Sequence, residues 1–88
     1  ISAHGRSFDE LTQALQQGVS KIAVLTDEAH SPNAIARLLL ALDLPTHYQF
    51  WVCENLGDAQ ERVQCLPIAA VLHQTFAPLN VVVLLRET

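Results

Sequence analysis

Apolar residues recur along this chain with two different periods, and the switches between them predict its elements. Phe8, Leu11, Ala14 and Leu15 follow the three-and-four spacing of one buried helical stripe. Ser7 and Glu10 have the spacing of a capping box, and Gly18 stands where a left-handed C-cap belongs, so a helix is expected from about Phe8 to Gln17. Lys21 to Thr26 is a short apolar run without polar alternation, the pattern of a strand covered on both faces. After the loop Asp27 to His30, Ser31 can cap a second helix with Pro32 at its first position. That helix carries Ile35, Ala36, Leu38, Leu39, Leu40 and Leu42 and must stop before Pro45.

The second half continues in the same manner. Tyr48 to Cys53 is an aromatic and β-branched strand, followed by the loop Glu54 to Asp58. Glu61 to Cys65 alternates polar and apolar, which predicts a half-exposed strand antiparallel to the preceding one across a wide hairpin. Pro67 to Gln74 is a short third helix with Ile68, Val71 and Leu72 inward, and Asn80 to Leu85 is a strongly β-branched last strand expected near the sheet centre. The fold class is therefore α/β: a mixed β-sheet of four or more strands with about three packed helices.

Composition narrows the class of function. Eighty-eight residues, half of them apolar and 16% charged, make one domain and not a disordered tail, and no uncharged apolar run of membrane-spanning length is present. The net charge is −4, and the five cations Arg6, Lys21, Arg37, Arg62 and Arg86 are dispersed, which argues against binding nucleic acid or anionic lipid. The chain contains no methionine and opens on Ile1, so it is expected to begin inside a longer protein.

Several chemistries lack their motifs. Cys53 and Cys65, the only cysteines, lie in predicted strands and read as buried free thiols; with no signal peptide visible, the cytoplasm is the expected compartment. His4, His30, His47 and His73 show no metal-ligand spacing, so no metal site is expected. No serine lies on a nucleophile elbow, and Ser31 has an ordinary task as a helix cap. The isolated glycines Gly5, Gly18 and Gly57 form neither a dinucleotide fingerprint nor a P-loop. What remains is two polar loops at the ends of apolar strands, Thr26 to Ser31 and Glu54 to Asp58. They are either ligand-binding loops of an α/β unit or ordinary solvated turns.

Five blocks in order carry a sharper indication: Ser2 to Arg6 (Ser-Ala-His-Gly-Arg), Lys21 to Asp27 (Lys-Ile-Ala-Val-Leu-Thr-Asp), Ser31 to Leu40, Cys53 to Gly57 (Cys-Glu-Asn-Leu-Gly) and Pro78 to Val82 (Pro-Leu-Asn-Val-Val). Together they resemble the C-terminal domain of the tetrapyrrole methylase family, in its branch that methylates precorrins in cobalamin biosynthesis. The resemblance covers essentially residues 1–88 and implies an S-adenosylmethionine-dependent methyltransferase of two α/β domains, of which only the second is present here. It implies cofactor contacts from Thr26 and Asp27, from Asn55 and Leu56, and from Pro78 and Leu79. Asn55 could equally form a turn, and Pro78 could simply start a strand.

The same resemblance makes His4 and Arg6 candidates for binding the carboxylate-rich precorrin, although either could also be merely solvated. Methyl transfer needs chiefly alignment, so no catalytic side chain is assigned. The implied partners are the precorrin or cobalt-precorrin substrate, the absent N-terminal domain of the parent and further copies of the chain. Self-association is expected through a sheet edge or an apolar helix face. The alternative from another class is a non-catalytic interaction or regulatory domain.

Overall fold

A computed structural model describes residues 8–45 and 47–87. The element order is α1 (Asp9–Gln16), β1 (Lys21–Leu25), α2 (Pro32–Leu42), β2 (Tyr48–Glu54), β3 (Arg62–Leu66), α3 (Ile68–His73) and β4 (Asn80–Arg86). Every predicted element is present within a residue or two of its expected bounds. Ser7 of the expected capping box lies outside the described residues, as do His4 and Arg6.

Local chemistry explains the helix ends. Gly18 adopts φ 71°, and the amide of Val19 reaches the Ala14 carbonyl while that of Gly18 reaches Leu15, so the last turn of α1 closes in a Schellman arrangement. A side chain at position 18 would be forced into the left-handed region. At the start of α2 the Ser31 hydroxyl accepts the Ala34 amide at 3.2 Å, with Pro32 in the first turn. Asp43 ends that helix in a left-handed conformation, before Pro45.

The four strands form one sheet in the order β1-β4-β2-β3. All three pairings are antiparallel, which corrects the expected mixed sheet. The source of the expectation is visible: β1, α2 and β2 do form a crossover unit, and β1 and β2 point the same way. Yet β4 inserts between them, pairing Val24 with Val82 on one side and Val52 with Val82 on the other, so the two parallel strands never meet. β4 is central, as its β-branched run predicts, and β3 lies antiparallel to β2 as expected.

One core is built from the inward positions of three strands and the apolar stripes of the helices. Ile22, Val24, Phe50, Val52, Val82 and Leu84 meet Leu11 and Leu15 of α1, Ile35, Ala36 and Leu39 of α2 and Val71 of α3. The helices thus cover one face of the sheet. This corrects the reading of β1 as covered on both faces, because Ile22 and Val24 are buried whereas Lys21, Ala23 and Leu25 between them are exposed. The cysteines are free, as expected, but neither is fully buried: Cys53 is half-buried and Cys65 exposed, both facing away from the helices.

Candidate functional site

Because β1 and β2 run in the same direction and β4 runs against both, the ends of the first two strands and the start of the last share one edge of the sheet. Thr26 and Asp27 follow β1, Asn55 and Leu56 follow β2, and Pro78 and Leu79 precede β4. The structure therefore brings all six expected cofactor-contact residues to the same edge. Leu25 stands opposite Val81 and Glu54 opposite Asn80, and the Asn55 amide donates to the Leu79 carbonyl at 2.9 Å.

These residues are not equivalent. Thr26 is buried, with its hydroxyl against the Asn80 carbonyl at 2.8 Å and also against the Asn80 side-chain oxygen. It ties the end of β1 to the start of β4. Asn80 in turn donates its side-chain amide to the Ala77 carbonyl at 2.7 Å. Asn55 has φ 51°, the left-handed conformation that asparagine tolerates, and its carbonyl accepts the Asp58 amide at 3.0 Å. It is thus the turn-former that the sequence allowed, whatever else it contacts. Leu56 and Leu79 are 52% and 70% exposed.

Asp27 and Pro78 line a groove of about 670 Å³, together with Glu28, Ser31 and the segment from Leu72 to Ala77. Asn55, Leu56 and Leu79 lie on the same edge but outside it. Its lining is acidic at Asp27 and Glu28 and apolar at Leu72, Phe76 and Pro78. Asp27 is held in place by its neighbours: one carboxylate oxygen accepts the His30 amide at 2.7 Å and lies 2.8 Å from the His30 Nδ1, while the His30 ring packs edge-on against Phe8. Across the groove, the Asn33 side-chain amide donates to the carbonyls of Val71 and Gln74, holding the end of α3 against α2.

One residue of this architecture escaped the sequence reading. Glu54 is 4% exposed at the end of β2, where its carboxylate accepts the Ala77 amide at 2.7 Å and the Arg62 Nε–H at 2.7 Å. Desolvation by burial pushes its pKa up. The Ala77 hydrogen bond and the hydrogen bond and charge of Arg62 outweigh it and hold the carboxyl below its ordinary range. Glu54 thereby fixes the segment before Pro78, one rim of the groove. A signal was available: Phe50, Val52 and Glu54 share the inward face of β2 by simple alternation, and an inward carboxylate must find partners.

Among the described residues no group of three or more His, Cys, Asp or Glu is placed to hold a metal ion, and no helix is long and apolar enough to cross a membrane. No protein-family model matches the chain, and no solved structure matches it. Among curated proteins it is 36% identical, over 98% of its length, to the cobalt-precorrin-7 C(5)-methyltransferase of Salmonella typhimurium strain LT2, and equally to that of Salmonella typhi. The chain spans 40% of the length of each of these relatives. Nearly the whole chain is therefore similar to one segment of a cobalt-precorrin-7 C(5)-methyltransferase, in agreement with the tetrapyrrole methylase resemblance carried by its five sequence blocks.

Proposed function

We propose that residues 1–88 are the C-terminal domain of an S-adenosylmethionine-dependent methyltransferase that methylates a ring carbon of a precorrin in cobalamin biosynthesis, acting in the cytoplasm as a homo-oligomer. The observation that carries this reading is the similarity over 98% of the chain to cobalt-precorrin-7 C(5)-methyltransferases. The sheet edge supports it, because the three loops implied in cofactor contact converge there.

The groove suits the cofactor's chemistry. S-adenosylmethionine has hydroxyl and ammonium groups, which acidic side chains such as Asp27 and Glu28 can accept from, and a flat adenine, which an apolar wall such as Leu72, Phe76 and Pro78 can cover. When bound, it supplies an electrophilic methyl group on sulfur. The chain's own part is to orient: Asp27, braced by His30, fixes one polar contact, and Glu54 and Asn80 fix the backbone leading to Pro78. His4 and Arg6 are proposed to meet the substrate carboxylates. With one half of the cofactor site, the isolated chain binds S-adenosylmethionine weakly and transfers no methyl group.

Calorimetry and a methyl-transfer assay test this on the parent protein. Asp27→Ala is expected to weaken S-adenosylmethionine binding about tenfold or more, the effect of losing one hydrogen bond to a charged acceptor. Unchanged affinity would remove Asp27 from the site. A parent protein that methylates no precorrin, or tight binding by the 88-residue chain alone, would overturn the reading itself.

A further inference from the structure

A polycarboxylate substrate makes a demand that the charge of this chain makes hard to meet. The net charge is −4, and the edge where the strand ends converge carries Asp27, Glu28, Glu54, Asp58 and Glu61, which repel an anion. Lys21 opens β1 opposite Leu85 and Arg86 closes β4 opposite Tyr48, so both cations stand at the far edge of the sheet, and Arg37 lies midway along α2. Among the described residues, Arg62 is the one Lys or Arg at the near edge, where it pairs across β2 and β3 with Glu54. We propose that Arg62 binds a carboxylate arm of the tetrapyrrole substrate at the rim of the groove. The proposal rests on the methyltransferase reading above and adds to it a substrate contact that the family resemblance does not supply.

Register fixes where the guanidinium stands. Residues directly opposite each other in an antiparallel pair project to the same side of the sheet, so Arg62 shares with Glu54 the side on which the helices and the groove lie. One carboxylate then sets the spacing: its Oε1 accepts the Arg62 Nε–H at 2.7 Å and its Oε2 accepts the Ala77 amide at 2.7 Å. Ala77 lines the groove and Arg62 does not. The guanidinium therefore stands one carboxylate away from the groove, outside the space assigned to S-adenosylmethionine.

The donors of Arg62 are divided in a way that suits a second anion. Glu54 takes the Nε–H and leaves the donors on Nη1 and Nη2 for another acceptor. Burial is divided likewise, because the Glu54 side chain is 5% exposed and that of Arg62 is 51% exposed. The pair is thus anchored at its acidic end and open at its basic end. A planar fork held through Nε loses little freedom when its Nη atoms take a carboxylate side by side, which a lysine ammonium could not do while also holding Glu54.

Fluorescence titration of the full-length parent with uroporphyrin, a stable tetrapyrrole bearing acetate and propionate arms, tests the proposal without any methyl transfer. Saturable binding that weakens with added salt is expected. Arg62→Gln should weaken it about tenfold or more, the effect of one lost charge-assisted contact, while S-adenosylmethionine affinity measured by calorimetry stays unchanged. Glu54→Gln separates recognition from support: it keeps an acceptor for the Ala77 amide and removes the negative charge beside Arg62, so uroporphyrin should bind as well as before or more tightly. If Arg62 served only to hold Glu54, the two substitutions would act alike. Should Arg62→Gln fail to fold, Arg62→Lys serves instead, with a smaller loss expected. The proposal is overturned if the native parent binds no uroporphyrin, if Arg62→Gln binds it equally well, if Glu54→Gln loses as much, or if S-adenosylmethionine affinity falls in parallel. A parent that binds uroporphyrin through Arg62 yet methylates no precorrin would fail the methyltransferase reading and leave this contact standing, and the reverse result would fail the contact alone.

Discussion

The two faces of the central sheet are made of neighbouring residues on the same strands, and they differ in fate more than in composition. Inward, Ile22, Val24, Phe50, Val52, Val82 and Leu84 are at most 3% exposed beneath three helices. Outward, Leu25, Trp51, Val81, Val83 and Leu85 are nearly as apolar, but none of the described helices lies over them: Leu25 is exposed and the others are half-buried. The comparison separates two things that a hydrophobic run confounds: that a residue is suited to burial, and that this chain buries it.

Substitutions on the two faces sharpen the contrast most. Phe50→Ala should cost about 3–5 kcal/mol by loss of transfer energy plus an unfilled cavity. Val83→Ala, on the half-buried outward side of the same sheet, should cost about 1 kcal/mol or less. Urea denaturation reads both, and equal losses would break the distinction between the faces.

Glu54 is the polar exception on the covered face. Glu54→Ala leaves the Ala77 amide without its acceptor and should cost about 1–3 kcal/mol. Its folded pKa lies below the ordinary glutamate value of 4.5, so its contribution to stability is full above that value. The contribution is lost as pH falls from there through the folded pKa. Denaturation midpoints compared at neutral and acid pH should show a steeper acid loss in the native sequence than in Glu54→Gln. Parallel profiles would remove the carboxylate's role.

Helix ends on the covered side give smaller effects. Ser31→Ala should cost about 1 kcal/mol through the lost cap. Gly18→Ala should cost about 1 kcal/mol through the left-handed backbone, and thermal melts check both.

The smallest effect is a ratio of rates on the open face. Cys65 is exposed, whereas Cys53 is half-buried, and burial, reinforced by the Glu61 charge, pushes its thiol pKa up. Maleimide labelling near pH 8 followed by mass spectrometry should therefore modify Cys65 several-fold faster. Equal rates would show that Cys53 is more open than its burial indicates.

What the sequence revealed follows the same division. Local signals were legible because their physics is local: the Ser31–Pro32 helix start, the Gly18 C-cap and the β-branched run of β4 each specify conformation within a few residues. The central place of β4 was legible in its β-branched run, but not which strands it would pair, because its insertion between β1 and β2 joins segments up to about sixty residues apart. The two-sided reading of β1 failed for a physical reason: Lys21 is its only outward charge, and Ala23 and Leu25 give no polar alternation to betray an uncovered face. At the site, the strand-end loops were legible from the crossover pattern and the family blocks. The buried bonds of Thr26 to Asn80 and of Glu54 to Ala77 depend on β4 docking and were not.

Because β4 is the only neighbour of β1 among the described residues, the order of folding is constrained by the order of synthesis. The β2–β3 hairpin is local, closing Phe50 onto Leu66, and can form as soon as both strands are free. β1 must wait for a partner that arrives last, with Lys21 finding Leu85 across nearly the whole chain, and long-range closures of this kind slow folding. A chain emerging from the ribosome therefore holds a hairpin and nascent helices but no continuous sheet until residues 80–86 are released. Truncation before Asn80 leaves the β2–β3 hairpin but, among the described strands, none for β1 to join.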